Sequence, residues 1–328
     1  MCTIQRRVPH ILNSFAQLCR GGNFAEGAIN FIRVMFLGRR LTALHTGSEL
    51  ISRLGLLRRS VQWREKFDEI FVKGREQIDN LLAQDPDLRF KEVLVSNKLV
   101  DFSFLRQLSA HRIRKVDPEL LYYIVYQSKP LPSGGIAGKN DIELSESDMD
   151  ILRDPKIADS LMLATLPRPA PQLPERPKFV VCLDGVIFPD NVGTIIRCAH
   201  AVGGVDAIVS TAGSCDFDGW KVLEASKGFG FNIPKAAMNT QSLAEYISKH
   251  NLLPVVGDAS VGIHPKEVAS SGHSGVIVII GNEKHGPRPE ILDLAVRVRI
   301  PINERMNSLN AGVAGGLLLQ LAKPLVPS

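Results

Sequence analysis

A repeated rhythm of short apolar runs and helix-like segments in the C-terminal half of this 328-residue chain constrains its fold most strongly. The apolar runs are Phe179 to Leu183, Ala207 to Ser210, Leu253 to Gly257 and Val276 to Gly281. Helical spacing occurs between them, at Thr194 to Val202 and Ser242 to His250. Near-continuous apolar strands separated by helices predict an α/β fold with a parallel sheet covered on both faces. Ligands of such sheets bind beyond the carboxyl ends of the strands.

A smaller α/β region is predicted ahead of this one, over residues 46–139. Its expected elements are a basic helical stretch at Leu54 to Arg64, a strand at Ile70 to Val72, a helix from Gly74 through Leu82, a strand at Glu92 to Ser96, and an element at Val116 to Ile124 opened by Asp117 and Pro118. Strands and helices that alternate over this length indicate a compact layered module.

Residues 140–176 turn acidic and then rich in proline. The prolines are Pro167, Pro169, Pro171, Pro174 and Pro177. Prolines at this density cannot continue a helix or a central strand, because each lacks a backbone N–H group. The composition therefore predicts a linker between an N-terminal domain at 46–139 and a C-terminal domain at 177–328.

The first 45 residues contain six arginines and one acidic residue, spaced among apolar residues. This amphipathic, acid-poor pattern predicts an organellar presequence, cleaved between Arg40 and Ser52. Its low serine content favours the mitochondrion over the plastid. The alternatives are a basic arm that stays on the protein, which allows a cytoplasmic location, or a misplaced start codon.

Beyond this leader the basic and acidic residues balance, so the global charge says little about RNA. Residues 46–139 carry sixteen basic and twelve acidic residues, which allows a local basic patch. The five cysteines include no CxxC pair and no partnering histidine spacing, so we expect neither a zinc site nor a disulfide framework. No apolar run reaches the roughly 18 residues that a membrane span requires, and we expect none.

The first motif with chemical potential runs from Leu183 to Ala199. An apolar strand ends in a loop with Asp184, Asp190 and Asn191, and a helix bearing Arg197 follows. An Asp-Asn turn that opens a helix is most simply a cap for free N–H groups. Arg197 favours a functional interpretation, since a guanidinium near the mouth of that loop offers a fixed fork for phosphate.

The second motif, Ile279 to Gly286, is an apolar strand that runs into Gly-Asn-Glu-Lys-His-Gly. Gly281 and Gly286 flank Glu283 and suit a close approach of backbone to ligand, although a tight turn with solvated charges is the alternative. The third motif, Ile300 to Leu319, places Ser308 and Asn310 before a helix of small residues. Ser308 is either an N-cap only or, with Asn310, it marks the start of a helix that packs closely against another surface.

In this order and at this spacing, the three motifs resemble the signature motifs of the SpoU (TrmH-type) family of RNA 2′-O-ribose methyltransferases, in the SPOUT superfamily. The resemblance covers residues 178–322. Residues 52–138, including Phe71-Val72-Lys73-Gly74 and the KPLPSGGIAG run, resemble the ribosomal-protein-like RNA-binding domain that many such enzymes carry.

The resemblance implies a deep trefoil knot in the C-terminal domain, S-adenosylmethionine as cofactor, and a homodimer whose active site uses both subunits. Its implied cofactor-binding residues are Gly257, Gly281, Glu283, Gly286, Ile300, Ser308, Leu309 and Asn310. Its implied catalytic residues are Arg197, Asn191, Glu283, Ser308 and Asn310. Asn191 and Arg197 would face the RNA, and no metal is implied.

A ribose 2′-OH must be placed in line with the departing sulfur, so positioning is a large part of the reaction. We expect Arg197 to hold the target phosphate and to stabilise the developing alkoxide. A guanidinium hardly ever loses its proton, so phosphate-assisted deprotonation is preferred to Arg197 as general base. Gly312, where the family commonly has serine, and Ile187-Phe188, in place of a more polar loop, depart from the family pattern.

These features predict an RNA 2′-O-methyltransferase acting on rRNA, with tRNA as the alternative substrate. A catalytically inactive RNA-binding or ribosome-assembly factor of the same fold is the alternative function. A dinucleotide-dependent enzyme ranks last, because no strand is followed by GxGxxG.

Overall fold

A computed structural model describes residues 49–98, 103–126, 152, 154, 161–169, 172–258, 261–269, 272–303, 305–306 and 308–327. All of them belong to one compact unit, Thr42–Ser328. The predicted presequence, the KPLPSGGIAG run and most of the predicted linker lie outside the described residues.

The N-terminal half forms a four-stranded mixed sheet with helices. Its elements are α1 (Glu49–Arg59), α2 (Val61–Phe67), β1 (Glu69–Lys73), α3 (Arg75–Gln84), β2 (Arg89–Ser96), a 3-10 turn (Ser103–Arg106), β3 (Ser109–Val116), α4 (Pro118–Tyr126) and β4 (Met162–Pro167). The strand order is β1-β4-β2-β3. β4 is antiparallel to both β1 and β2, whereas β2 and β3 are parallel.

The expected helices and strands of this half are present, with three differences. Strand β3 (Ser109–Val116) was not predicted. The predicted helix at Leu54 to Arg64 is two helices separated at Ser60, whose extended backbone precedes α2. The prediction that residues 140–176 are all linker is wrong at Met162–Pro167, because the apolar run before the proline cluster forms the central strand β4. Pro167 ends that strand, where its missing N–H costs nothing.

The C-terminal half is a six-stranded sheet with helices. Its elements are β5 (Phe179–Asp184), α5 (Pro189–Val202), β6 (Ala207–Ser210), α6 (Trp220–Ala225), β7 (Lys235–Ala237), α7 (Thr240–Lys249), β8 (Leu252–Gly257), a 3-10 turn (Pro265–Glu267), β9 (Gly275–Gly281), α8 (Pro289–Leu294), β10 (Val296–Val298), α9 (Ala311–Ala322) and a final 3-10 turn (Lys323–Leu325). The order is β10-β8-β9-β5-β6-β7, and every neighbouring pair is parallel.

The prediction of a buried parallel α/β sheet is confirmed. Every residue of β5 is buried, and β9 is buried through Ile280, as expected of strands covered on both faces. The short strands β7 and β10 were not predicted, because three-residue runs carry too little periodicity.

Helix α9 packs closely against α5 through its glycines. A Cβ atom at Gly315 would lie 2.7 Å from Ile195 Cγ1, and one at Gly316 would lie 2.9 Å from Cys198 Sγ. This confirms the prediction that the small residues after Asn310 mark a closely packed helix. Close packing also explains why this chain has glycine at position 312, where the family commonly has serine. A Cβ atom at Gly312 would lie 3.1 Å from the Thr194 side chain.

Ion pairs and hydrogen bonds join the two halves. The buried Arg64 guanidinium bonds to Asp216 Oδ2 at 2.6 and 3.0 Å, and Lys73 pairs with Glu224. Asn80 Nδ2 donates to the Lys227 carbonyl at 2.8 Å. These contacts hold α2, β1 and α3 against the loops around α6. In the described part of the chain, no helix combines the length and the hydropathy that crossing a bilayer requires.

Candidate active site

A cavity of about 520 Å³ lies at the carboxyl ends of β8, β9 and β10. Its wall contains seven of the eight residues predicted to bind cofactor, namely Gly257, Gly281, Glu283, Gly286, Ile300, Ser308 and Leu309. The parallel sheet explains this convergence, because the loops after neighbouring strands leave from the same edge. The eighth residue, Asn310, is not part of the wall. In the sequence it directly follows Leu309, which is part of the wall.

The loop from Gly281 to Pro287 folds back on itself at the cavity. A Cβ atom at Gly281 would lie 2.2 Å from the Pro287 backbone nitrogen, so no larger residue fits without moving the backbone. Gly286 has φ of +69°, a conformation that glycine adopts without strain. The backbone groups of Asn282 close the turn through hydrogen bonds with those of Gly286. The Asn282 side chain connects this turn to motif 1, because Asn282 Nδ2 donates to the Gly185 carbonyl at 2.8 Å.

Glu283 connects motif 2 to motif 1 through three hydrogen bonds. Its carboxylate accepts from the backbone N–H groups of Ile187 and Phe188, both at 3.1 Å, and from Asn191 Nδ2 at 2.9 Å. Burial by itself raises the pKa of this carboxyl, but the hydrogen bonds from Asn191 and the backbone outweigh it, so the pKa lies below its ordinary value. Glu283 is therefore ionised at neutral pH and fixes the loop before α5.

Asn310 extends this network to motif 3. Its Nδ2 donates to Asn191 Oδ1 at 2.9 Å, and its Oδ1 accepts from the backbone N–H groups of Gly312 and Val313, at 2.9 and 3.3 Å. Asn310 is thus the N-cap of α9 and also the partner of Asn191. The chain Glu283–Asn191–Asn310 joins all three motifs by side-chain hydrogen bonds.

Arg197 stands apart from this network. It lies on α5 with an exposed side chain, is not in the wall of the cavity, and forms no hydrogen bond or ion pair with the described residues. Asn191, by contrast, lies on the buried side of the same helix. One chain of this protein therefore brings together the predicted cofactor side of the site and leaves the predicted phosphate-binding guanidinium in solvent.

Sequence reasoning missed an ion pair between a buried carboxylate and a partly exposed arginine beneath the motif 2 loop. Asp184, whose side chain is fully buried, accepts hydrogen bonds from the Arg288 backbone N–H at 2.9 Å, from Arg288 Nε at 2.8 Å and from Arg288 Nη2. It also accepts one from Thr211 Oγ1 at 2.7 Å. The hydrogen bond to Asp184 raises the pKa of Arg288. This pair anchors the end of the loop that lines the cavity.

Asp184 was visible in the sequence as an acid at the end of an apolar strand, which is the signal that could have found it. Its partner Arg288 is 104 residues away, and no periodicity or motif links the two positions. Within the described ranges, no group of three or more His, Cys, Asp or Glu side chains has the arrangement of a metal site.

Comparison with known sequences gives a consistent set of relatives. A model of the SpoU rRNA Methylase family matches residues 178–320. A zebrafish (Danio rerio) mitochondrial rRNA methyltransferase 3A is 24% identical, over 90% of this chain and 73% of its own length. A 23S rRNA (guanosine(2553)-2′-O)-methyltransferase of Bacillus subtilis is 30% identical, over 43% of this chain and 56% of its own length.

Comparison with solved structures shows the same fold. An AdoMet-bound rRNA methyltransferase from Sinorhizobium meliloti superposes with a TM-score of 0.66 at 19% identity, covering 88% of this chain and 99% of its own. The SpoU methyltransferase AviRb from Streptomyces viridochromogenes, in complex with AdoMet, gives 0.65 at 20% identity, covering 84% and 97%. Both superpositions span the N-terminal and the C-terminal halves, so the α/β architecture is shared over most of the chain.

Proposed function

We propose that this chain, which belongs to the SpoU methylase family, is an RNA 2′-O-ribose methyltransferase that uses S-adenosylmethionine and acts on rRNA. One observation carries the proposal: three loops far apart in sequence meet at one cavity and are joined by the Glu283–Asn191–Asn310 hydrogen bonds. The rRNA methyltransferases among its relatives support the substrate class.

The cavity fits the cofactor in size and chemistry. About 520 Å³ lies within the usual range for small-molecule sites. Apolar side chains such as Ile280, Leu292 and Leu318 offer contact to a nucleoside, and the Gly281 turn brings backbone N–H and carbonyl groups to the wall. S-adenosylmethionine, when bound, supplies an electrophilic methyl group. Ser308 and Leu309 contribute to the wall on the side of motif 3.

Arg197 is the residue that we assign to the RNA. Its exposed guanidinium has no protein partner among the described residues, so it is available for the target phosphate. The charge is permanent, and it favours the alkoxide that develops on the 2′-oxygen without accepting its proton. Asn191 and Glu283 position the loop and α5, on which Arg197 is carried.

We propose that the enzyme is a homodimer through its C-terminal domain. Val313 and Leu317 are one turn apart on α9 and remain 51% and 42% exposed, and Ile187 and Phe188 of motif 1 are 42% and 47% exposed. Apolar side chains concentrated on the site motifs are typical of an interface. A second copy on this face would bring further groups to the exposed side of α5, where Arg197 lies.

The N-terminal half is proposed to bind the RNA substrate. Its edge strand β3 presents His111 and Arg112 to solvent, and a basic strand edge offers contacts to phosphate. A mitochondrial location is proposed from the arginine-rich leader and from the mitochondrial zebrafish relative. The deep trefoil knot is proposed from the resemblance of the three motifs to the SpoU family, and tracing the backbone of an experimental structure tests it.

The alternative of an inactive RNA-binding or assembly factor has no observation in its favour. An inactive relative could lose the Asn191, Glu283 and Asn310 network without losing its fold, yet here all three side chains are present and bonded to each other. The geometry therefore supports the enzyme over the inactive factor.

The test is Arg197→Ala in the full-length protein. We expect loss of rRNA 2′-O-methylation by about 100-fold or more, as for loss of a donor that stabilises developing negative charge. The affinity for S-adenosylmethionine, measured by calorimetry, should stay unchanged because Arg197 is outside the cavity. Mapping 2′-O-methyl positions in organellar and cytosolic RNA, with and without the gene, identifies the substrate.

Arg176→Ala is the matched control, since Arg176 is also exposed but precedes β5, far along the strand from the carboxyl edge. The control should methylate normally. Near-normal turnover of Arg197→Ala would contradict its role, and a protein that does not bind S-adenosylmethionine at all would contradict the proposed enzyme.

A further inference from the structure

A second and larger cavity lies at the same edge of the parallel sheet, at the carboxyl ends of β6 and β7. We name it the interdomain cleft. It has a volume of about 880 Å³, and its walls are residues 210–218 and 231–239 from the C-terminal half, with Val61, Glu65, Arg168, Pro169 and Gln172 on the other side. Ligands of open parallel sheets bind at this edge, and the volume is that of a small-molecule site.

The charged groups of the cleft are already engaged in hydrogen bonds or ion pairs with protein partners. Arg168 pairs with Asp218 at 2.5 Å and with Glu65 at 3.7 Å. The Lys235 ammonium donates to the carbonyl groups of residues 230, 231 and 233, at 2.7 to 3.0 Å. Asp216 is held by Arg64. The described walls therefore present no free cation for a phosphate, and they favour an uncharged ligand.

Side-chain amides are the polar groups that remain available. Gln172 and Asn232 are exposed and form no hydrogen bond with any described residue. Asn239 uses its Oδ1 to cap α7 by accepting from the Ser242 N–H at 2.7 Å, and its Nδ2 has no described partner. Phe217 and Phe231 border the cleft but are only 8% and 7% exposed, so they add little accessible aromatic surface. Side-chain amides that pair with base edges are a means by which proteins recognise unpaired bases of RNA.

The loop that follows β5, residues 185–188, connects the wall of the cleft to the candidate active site, because it is hydrogen-bonded to residues of both. Ser214 Oγ donates to the Leu183 carbonyl at 2.8 Å and accepts from the Gly185 N–H at 3.0 Å. The Cys215 N–H donates to the Val186 carbonyl at 2.8 Å. A ligand in the cleft would therefore lie one loop away from the Asn191 and Glu283 network.

We propose that the interdomain cleft binds an unpaired nucleobase of the RNA substrate, flanking the nucleotide that is methylated. The inference rests on the proposed function, since it assigns the cleft to the same RNA. In this proposal the cleft is a specificity site that recognises a base by hydrogen bonds, while the phosphate groups of the RNA contact other surfaces.

Two variants test the inference, with an in vitro transcript of the organism's mitochondrial large-subunit rRNA as probe. The double variant Gln172→Ala, Asn232→Ala removes the free amides, and Ala237→Phe, at an exposed position in the wall, fills the cleft. Two lost hydrogen bonds should raise the KM for RNA by about 30-fold, since each contributes about 1 kcal/mol and about 1.4 kcal/mol corresponds to a factor of ten. The Kd for S-adenosylmethionine, and its stoichiometry of one per chain, should not change.

Gln62→Ala is the matched control, because Gln62 is an exposed amide on α2 that does not line the cleft. A second readout is photocrosslinking of the same transcript carrying 4-thiouridine, with crosslinks expected in residues 210–218 and 231–239. An unchanged KM in both variants, or crosslinks confined to other surfaces, overturns the inference. Failure of the unsubstituted protein to methylate rRNA contradicts the proposed function instead, so the two failures are distinguishable.

Discussion

The two sheets of this protein are built from similar buried strands and differ in strand direction. In the six-stranded sheet all neighbours are parallel, so six carboxyl ends and their loops meet at one edge. In the four-stranded sheet, β4 runs antiparallel between β1 and β2, and the loops are divided between opposite edges. The comparison shows why both cavities border one edge of the parallel sheet, whereas the mixed sheet offers an exposed basic strand at its side.

The sheets also differ in how tightly their loops are built. A loop at the parallel edge contains Gly281, where a Cβ would meet the backbone at 2.2 Å, and it is held by the Arg288 pair with the buried Asp184 carboxylate. In the N-terminal half, the described glycines Gly55 and Gly74 have nothing closer than 3.5 Å to such a Cβ, and the Arg75–Asp79 pair is exposed. Substitutions of the same kind should therefore have larger effects at the parallel edge.

The largest effect is expected for Gly281→Ala. A Cβ atom there would lie 2.2 Å from the Pro287 nitrogen, so the motif 2 loop must move by a sizeable fraction of an ångström. A misplacement of that order can reduce turnover by about 100-fold. The loss of turnover is measured by methylation rates, and any change in the cofactor site is measured by calorimetric binding of S-adenosylmethionine.

The contrasting variant is Gly55→Ala, on α1 of the N-terminal half. A Cβ there would meet nothing closer than 3.5 Å, and alanine is favoured in a helix. We expect equal or slightly higher stability and normal methylation. Equal activity of both variants would refute the claim that the two regions differ in tightness.

The next effect is expected for Arg288→Ala. The variant leaves the buried Asp184 carboxylate without its main partner, and this should reduce the free energy of unfolding by about 2 kcal/mol or more. Chemical denaturation measures the loss. It should be accompanied by weaker cofactor binding, because Arg288 anchors the end of the cavity loop.

The variant to compare with Arg288→Ala is Arg75→Ala, which removes the Arg75–Asp79 pair on α3. The side chains of this pair are 43% and 47% exposed. Arg75→Ala should cost only about 0.5 kcal/mol, as surface pairs at this helical spacing do. A similar cost for both arginines would show that the Asp184 pair does not stabilise the loop.

The smallest effect concerns pH. The pKa of Glu283 is held below its ordinary value of 4.5, so its hydrogen bonds stabilise the folded state fully above that pH. The contribution is lost as the pH falls through the lowered pKa. Because Glu283 is only partly buried, solvent screening limits this contribution to less than about 1 kcal/mol.

Glu283→Gln should therefore lose less stability on acidification than the unsubstituted protein, as measured by denaturation between neutral and acidic pH. Glu119→Gln, in the four-stranded half, is the control for removing one carboxylate elsewhere in the molecule. An identical acid sensitivity of Glu283→Gln and the unsubstituted protein would contradict the assigned hydrogen bonds.

Much of the C-terminal half followed from local pattern. Strands β5, β6, β8 and β9 were predicted within a residue of their bounds, because continuous apolar runs between helical segments have few other structures. The motif loops were also found, since each begins where a strand ends. The roles of Arg197, Asn191 and the other site residues stay predictions, and Arg197 lies outside the cavity where the cofactor is proposed.

Strand β4 shows where local pattern fails. Its apolar residues were hidden by the prolines that follow, and its place between β1 and β2 depends on a chain segment returning from far along the sequence. The same holds for the Asp184–Arg288 pair and the interdomain cleft. Each requires two distant segments whose meeting no sequence spacing encodes.

By itself, the sequence determined the kind of sheet, the positions of the motif loops and their likeness to the SpoU rRNA Methylase family, because periodicity and residue type act over a few neighbouring residues. Only the tertiary structure decided which loops line the same cavity, that Asp184 is paired with Arg288 beneath the candidate active site, and that the Arg197 guanidinium faces solvent. Those outcomes depend on contacts between residues about a hundred positions apart, where packing and burial of charge select the partner.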